Sequence, residues 1–144
     1  MSTIFDKFDK PACAETLGWR FVAFDAAEKE LRVAFDGRDI FSNPAGNIQG
    51  GFLAAMLDDV MGGSVLAATD GDYFAATIDL VSSFITPARK GTITGIGRVV
   101  SLGKSISFMH GELRDSAGGL IARGSASARL VPTVKLPSTA SVEQ

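Results

Sequence analysis

The sequence holds one cysteine, Cys13, so no internal disulfide can brace it. It also holds one histidine, His110, set between Met109 and Gly111. One histidine and one cysteine give no metal-ligand set at a recognisable spacing, so no metal is expected. Nothing beside His110 suggests a Ser-His-Asp triad, and a sheet-surface or interface role suits it better. Charge of one sign is lacking too. The formal net charge is −2, which argues against a general nucleic-acid binder, because phosphate neutralisation needs a basic face. A small phosphorylated ligand held by a few local cations stays open. No apolar run approaches the ~20 residues of a membrane span. The start, Met-Ser-Thr-Ile-Phe-Asp-Lys, lacks the form of a signal peptide. A soluble, cytoplasmic protein is expected, with no nucleic-acid or membrane partner. Gly95-Ile-Gly97 is no dinucleotide fingerprint, since neither a third glycine nor a helix follows.

What is present points to a real core. Hydrophobic residues make up 46% of 144 residues, which fits one ordered domain over 1–144. Its core should span about 11–131, with a frayed polar tail over 132–144. Pro11 to Leu17 reads as a short helix closed by Gly18. Trp19 to Asp25 and Lys29 to Phe35 read as a hairpin; Leu31, Val33 and Phe35 share one face. Residues 36–49 carry Gly37, Asn43, Pro44, Gly46 and Asn47, which is loop chemistry. Gly50 to about Ala68 is an apolar helix with Phe52, Leu53, Met56, Leu57, Val60 and Met61 on a broad face. Four strands follow: Phe74 to Ile85, Gly91 to Ser101, Ser105 to Asp115 and Leu120 to Val131. The short links between the last three make them antiparallel neighbours. The fold class is α+β, one long helix wrapped by a curved antiparallel sheet.

The helix carries the chemistry. On a wheel, Phe52, Met56, Val60 and Leu53 cluster together, and Asp58 lies nearly opposite among Gly51, Ala54, Ala55 and Gly62. Asp59 lies at the edge of the bulky face, beside Phe52, Met56 and Gly63. Small residues round a carboxylate mean that a strand, a partner subunit or a ligand approaches closely. Asp58, Asp59, Gly62 and Gly63 would together weaken an isolated helix by ~3 kcal/mol, so packing or function must offset them. Gly50 and Gly51 put free amides at the positive end of the helix. An oxyanion could sit there, and Asp58 is expected within reach of the same substrate atom.

The ordered set Asn43-x-x-Gly46-x-x-Gln49-Gly50-Gly51-x6-Asp58 resembles the Asn-x-x-Gly-x-x-His-Gly-Gly-x6-Asp signature of PaaI-like acyl-CoA thioesterases, which have the hotdog fold. Leu17-Gly18, Ala76 to Leu80, Phe84 to Ala88, Gly91 and Leu102 to Ser105 extend the resemblance over roughly 11–131. It implies hydrolysis of a CoA thioester, with an aromatic or medium-chain acyl group, to free acid and CoA. It implies no cofactor beyond the CoA of the substrate. It implies a homodimer or homotetramer with active sites at the dimer interface. Asp58 would be nucleophile or general base, and Gly50 N–H would bind the thioester oxygen. Asn43 would hold the lytic water or the carbonyl. Thr77 would orient water from the partner subunit. Arg89, Lys90, Lys104 and Ser105 would meet the CoA phosphates. Gly51, Phe52, Ala55 and Phe84 would line the substrate groove.

Gln49 stands where the family has histidine. Glutamine can donate a hydrogen bond but cannot carry a proton as imidazole does. A non-catalytic acyl-CoA sensor is therefore the alternative. A hotdog dehydratase comes third, because its Asp/His pair is not visible.

Overall fold

In the computed structural model, which describes residues 2–137, the elements follow the punctuation of the sequence closely. A 3-10 turn at Ile4–Lys7 precedes α1 (Ala12–Leu17), which Pro11 opens and Gly18 closes in the left-handed conformation. Strands β1 (Arg20–Asp25) and β2 (Glu30–Gly37) form the expected hairpin. Helix α2 (Gly50–Ala68) follows the pinned loop. Then come β3 (Tyr73–Phe84), β4 (Gly91–Leu102), β5 (Ile106–Arg114) and β6 (Leu120–Pro132).

The six strands form one antiparallel sheet in the order β1-β2-β4-β5-β6-β3. The β4-β5-β6 meander is as expected. Strand β3 joins β6 rather than its sequence neighbour β4, so it forms an outer edge. The helix lies across one face, burying Leu53, Met56, Leu57, Val60, Met61 and Val65 against the sheet. Burial of each such side chain is worth about 1.5–3 kcal/mol. Gly97 allows the close approach. A Cβ there would stand 2.2 Å from the Val60 carbonyl oxygen, so β4 can touch the helix backbone only through glycine.

Three expectations need correction. By length and composition the 19-residue α2 does qualify as a membrane span, with hydropathy 1.4. The glycines, alanines and two aspartates interspersed along it disguise the run, and the sheet takes up its apolar face. Phe52 does not join the core. It is about one-third exposed and stacks on Phe41, with ring centroids 4.3 Å apart and 16° between planes. The chain after Pro132 continues into a 3-10 turn, Thr133–Lys135, tied back by Thr133 N–H to the Asp72 carbonyl at 2.9 Å. The rest of the expected tail, 138–144, lies outside the described residues.

Candidate functional site

The mouth of α2 is set by its preceding loop. The Asn43 Oδ1 accepts the N–H groups of Ala45 at 3.0 Å and Asn47 at 3.1 Å, closing a local turn in which Gly46 takes a φ of 82°. Ile48 N–H donates to the Ala88 carbonyl and Gln49 N–H to that of Phe41, at 2.9 and 2.8 Å. The loop is thus fastened on both sides. Asn43 builds it with its oxygen, which leaves its amide NH2 for any role toward a ligand.

Gln49 is the helix N-cap and makes no side-chain capping bond. Its carbonyl accepts Phe52 N–H at 3.0 Å and Leu53 N–H at 3.3 Å. The amides of Gly50 and Gly51 therefore precede the first intrahelical bond. The ring of half-exposed Phe84 lies over Gly50; a Cβ on residue 50 would stand 3.2 Å from it. Gly51 faces open space.

Two turns on, Thr77 Oγ1–H donates to Asp58 Oδ1 at 2.7 Å. Thr77 was expected to reach this site from a partner subunit; it reaches the Asp58 of its own chain. Ordinary alternation explains how: Thr77 shares the helix-facing side of β3 with buried Ala75, and the bulge at Ile78 comes only after both. Between Asp58 and Phe52, the outward stripe of α2 carries Gly51, Ala55, Gly62 and, at its far end, Leu66. Gly51 and Ala55 are exposed, and the stripe is the candidate groove, with Asp58 on the β3 side.

Asp59 borders the same groove from the other side, a hundred degrees round the helix at 3.6 residues per turn. Burial, and then the neighbouring Asp58 charge, push its carboxyl from 3.8 up to about 7. On the wheel it lies at the edge of the bulky face, which disfavours a role shared with Asp58. Its wheel position beside Phe52 and Gly63 was the available signal of its burial.

Within one chain Gly50 and Asp58 stand too far apart to serve one carbonyl. Eight helical residues separate them by roughly 12 Å along the axis. The four expected phosphate contacts also divide. Arg89 and Lys90 sit just before β4, at the end of the sheet where α2 begins. Lys104 and Ser105 follow β4, whose 12 residues put them on the order of 35 Å away. Lys90 Nζ is held by Asp39 at 2.9 Å, and that pairing keeps the exposed Asp39 carboxyl below its usual range.

A concavity of about 470 Å³ occupies the opposite face of the sheet, lined by Arg98, His110, Glu112 and Arg123 among others. It contains none of the groove residues, and the chemistry argued above favours the groove. His110 is exposed there, in register with Arg98 and Ser125, and among the described residues no hydrogen bond joins it to a serine or a carboxylate as a triad requires. Among the described residues no group of three His, Cys, Asp or Glu could hold a metal ion.

The thioesterase superfamily profile matches residues 45–122, which include the end of the loop, α2 and the paired Asp58 and Thr77. The phenylacetic acid degradation-related protein of Ralstonia eutropha JMP134 is 34% identical, with 88% of this chain and 95% of that one covered and a TM-score of 0.81. The chain belongs to the thioesterase superfamily. It is a PaaI-like thioester hydrolase with the hotdog fold. The fold recurs in Escherichia coli PaaI (20% identity, TM-score 0.75, 85% of this chain and 86% of that one). It recurs also in a Haemophilus influenzae thioesterase (16%, 0.77, 88% and 87%). A search of curated proteins found no match.

Proposed function

We propose that this thioesterase hydrolyses an acyl-CoA, with an aromatic or medium-chain acyl group, in the cytoplasm. One observation carries the reading: the Thr77–Asp58 hydrogen bond beside a groove floored by small residues. A hydroxyl donating to one carboxylate oxygen fixes the rotamer and leaves the other oxygen for water or for the thioester carbon. Phe52 and Phe84 give the groove apolar walls, which suit an uncharged acyl group. The Ralstonia relative, related to phenylacetic acid degradation, favours an aromatic one.

The amide that completes the site comes from a second copy of the chain. Edge strand β3 is 12 residues long, and Phe74, Ile78 and Val81 are exposed along it. Such an edge calls for a partner. Two β3 strands paired antiparallel about a two-fold axis bring the Phe84 end of one beside the Thr77 end of the other. Gly50, under Phe84, then approaches the partner's Asp58. Ser82 Oγ, buried without a hydrogen-bond partner in the single chain, lies on this same strand. Dimers of this kind can pair again as a homotetramer, and cations from more than one chain can then gather at the CoA phosphates.

In the reaction, water gives a proton to Asp58 as its oxygen bonds to the carbonyl carbon. The carbonyl oxygen takes the negative charge against Gly50 N–H. Collapse expels CoA as the thiolate, which takes up the proton from Asp58 to give the thiol, and leaves the acid with Asp58 again ionised. Direct attack by Asp58, through an anhydride that water then opens, meets the same geometry. Thiol release from an acyl-CoA panel tests the proposal: turnover on aromatic or medium-chain substrates, lost in Asp58→Asn, supports it. Turnover unchanged by that substitution rejects it.

A further inference from the structure

We infer that Phe84 is a positioning residue for the hydrolysis. Its ring shelters the free amide of Gly50 from water, and so makes Gly50, rather than Gly51, the donor to the thioester oxygen. The inference rests on the proposed oxyanion role of the α2 mouth and extends it to the side chain that covers that mouth.

Two amides compete for the role. The Gln49 carbonyl takes the N–H groups of Phe52 and Leu53, and neither Gly50 N–H nor Gly51 N–H has an acceptor among the described residues. Their surroundings differ. Gly51 is exposed, and a Cβ built on it would meet nothing within 4 Å. Gly50 is only partly exposed. A Cβ built on it would stand 3.2, 3.3 and 3.6 Å from Cζ, Cε2 and Cε1 of Phe84, the distal edge of the ring. Cα of Gly50 is bonded to that amide nitrogen, so the ring fills space that water would otherwise take beside the N–H.

Backbone bonds hold the contact from both sides. Ile85 N–H and Thr86 N–H donate to the Ile121 carbonyl at 2.8 and 3.2 Å, and Thr86 Oγ1–H donates to the Leu120 carbonyl at 2.8 Å. The end of β3 that carries Phe84 is thus fastened to β6. Ile48 N–H, two residues before Gly50, donates to the Ala88 carbonyl at 2.9 Å and ties the helix mouth to the chain that follows β3. The ring itself is 52% exposed, so the rest of it is free to meet the substrate.

Shelter matters because a donor kept dry is worth more to a developing charge than one that water already occupies and screens. Gly51 N–H stays bound to solvent. Gly50 N–H is left for the thioester oxygen. Removing the ring wets the Gly50 amide, and the loss falls on the transition state rather than on substrate binding.

The test makes two measurements on the full chain, on Phe84→Ala and on Phe84→Tyr. The first is amide hydrogen exchange by nitrogen-15 NMR. In the parent, Gly50 should exchange about tenfold or more slowly than Gly51, although neither is hydrogen-bonded. In Phe84→Ala the two rates should converge, and Phe84→Tyr, which keeps the ring, should restore the gap. The second is steady-state kinetics on the best acyl-CoA. Phe84→Ala should lower kcat about tenfold with KM within about threefold of the parent, and Phe84→Tyr should recover most of that loss. Equal exchange at the two glycines in the parent overturns the inference. So does a Phe84→Ala protein that keeps the exchange gap, or one whose defect lies in KM alone. Absence of turnover on every acyl-CoA would reject the hydrolase reading instead, and the exchange rates of Gly50 and Gly51 would still decide whether Phe84 gives shelter.

Discussion

Thr77 and Asp58 lie 19 residues apart and are joined by a 2.7 Å hydrogen bond from hydroxyl to carboxylate. Strand and helix meet at this point, and the bond holds the one carboxylate that faces both the groove and the β3 edge. Removing the hydroxyl frees the carboxylate to rotate. Thr77→Val should lower kcat roughly tenfold while KM changes little, and Thr77→Ser should restore most of the loss. Removing the carboxylate is worse: Asp58→Asn should cost ~10²–10⁴-fold. Steady-state kinetics on the preferred acyl-CoA separate the two, with circular dichroism showing that both variants fold.

Asp59 also makes stability depend on pH. Its carboxyl is raised in the folded chain from 3.8 to about 7. A raised pKa gives stability that is complete below the unfolded value and is lost as pH climbs to the folded one. The protein should therefore weaken between about pH 4 and about pH 7. The loss is on the order of 4 kcal/mol for about three units. Asp59→Asn should flatten that slope and leave the variant the more stable protein at about pH 8. Urea unfolding at both ends of the range measures it.

Gly97 and Gly51 make a contrast within one protein. A methyl group at Gly97 would meet the helix backbone at Val60, whereas at Gly51 it would meet nothing within 4 Å. Gly97→Ala should cost ~2 kcal/mol or more, since neither sheet nor helix backbone can yield cheaply. Gly51→Ala should be neutral or slightly stabilising, because alanine is the better helix former by about 1 kcal/mol. Denaturant midpoints of the two variants give the comparison.

The β3 edge should control both assembly and activity. Val81 is 63% exposed on a strand with no partner on that side. A charge there opposes strand pairing. Val81→Lys should shift the mass measured by light scattering toward the single chain, and thioesterase activity should fall in parallel. A variant that stays assembled, or one that is monomeric and fully active, speaks against a shared site.

Most of the fold was legible because glycine, proline and Asp-Gly clusters mark most turns, the β1–β2 turn over 26–29 being the exception. The α2 pattern also persists long enough to leave no choice of period. Three features were not legible, each for a physical reason. The pairing of β3 with β6 is a long-range choice that no local pattern encodes. The bulge at Ile78, which shifts the register of β3 against β6 beyond Thr77, leaves no mark in the alternation. The burial of Asp59 depends on the elements that pack against α2 from elsewhere in the chain, so its altered acidity could not be read from the helix alone. The separation of Lys104 from Lys90 was readable from strand length, but the resemblance had grouped them by ligand rather than by place.

Complementation between chains tests the central claim most directly. Gly50→Pro removes the proposed oxyanion donor at the first helical position, where proline is tolerated, and Asp58→Asn removes the acid. Each homodimer should be nearly inactive. After co-refolding, about half of the dimers are mixed, and each mixed dimer joins one intact Gly50 to one intact Asp58 across the two-fold axis. The mixture should regain about a quarter of the parent rate. A mixture that stays at the sum of its two parents would contradict a site built from two chains.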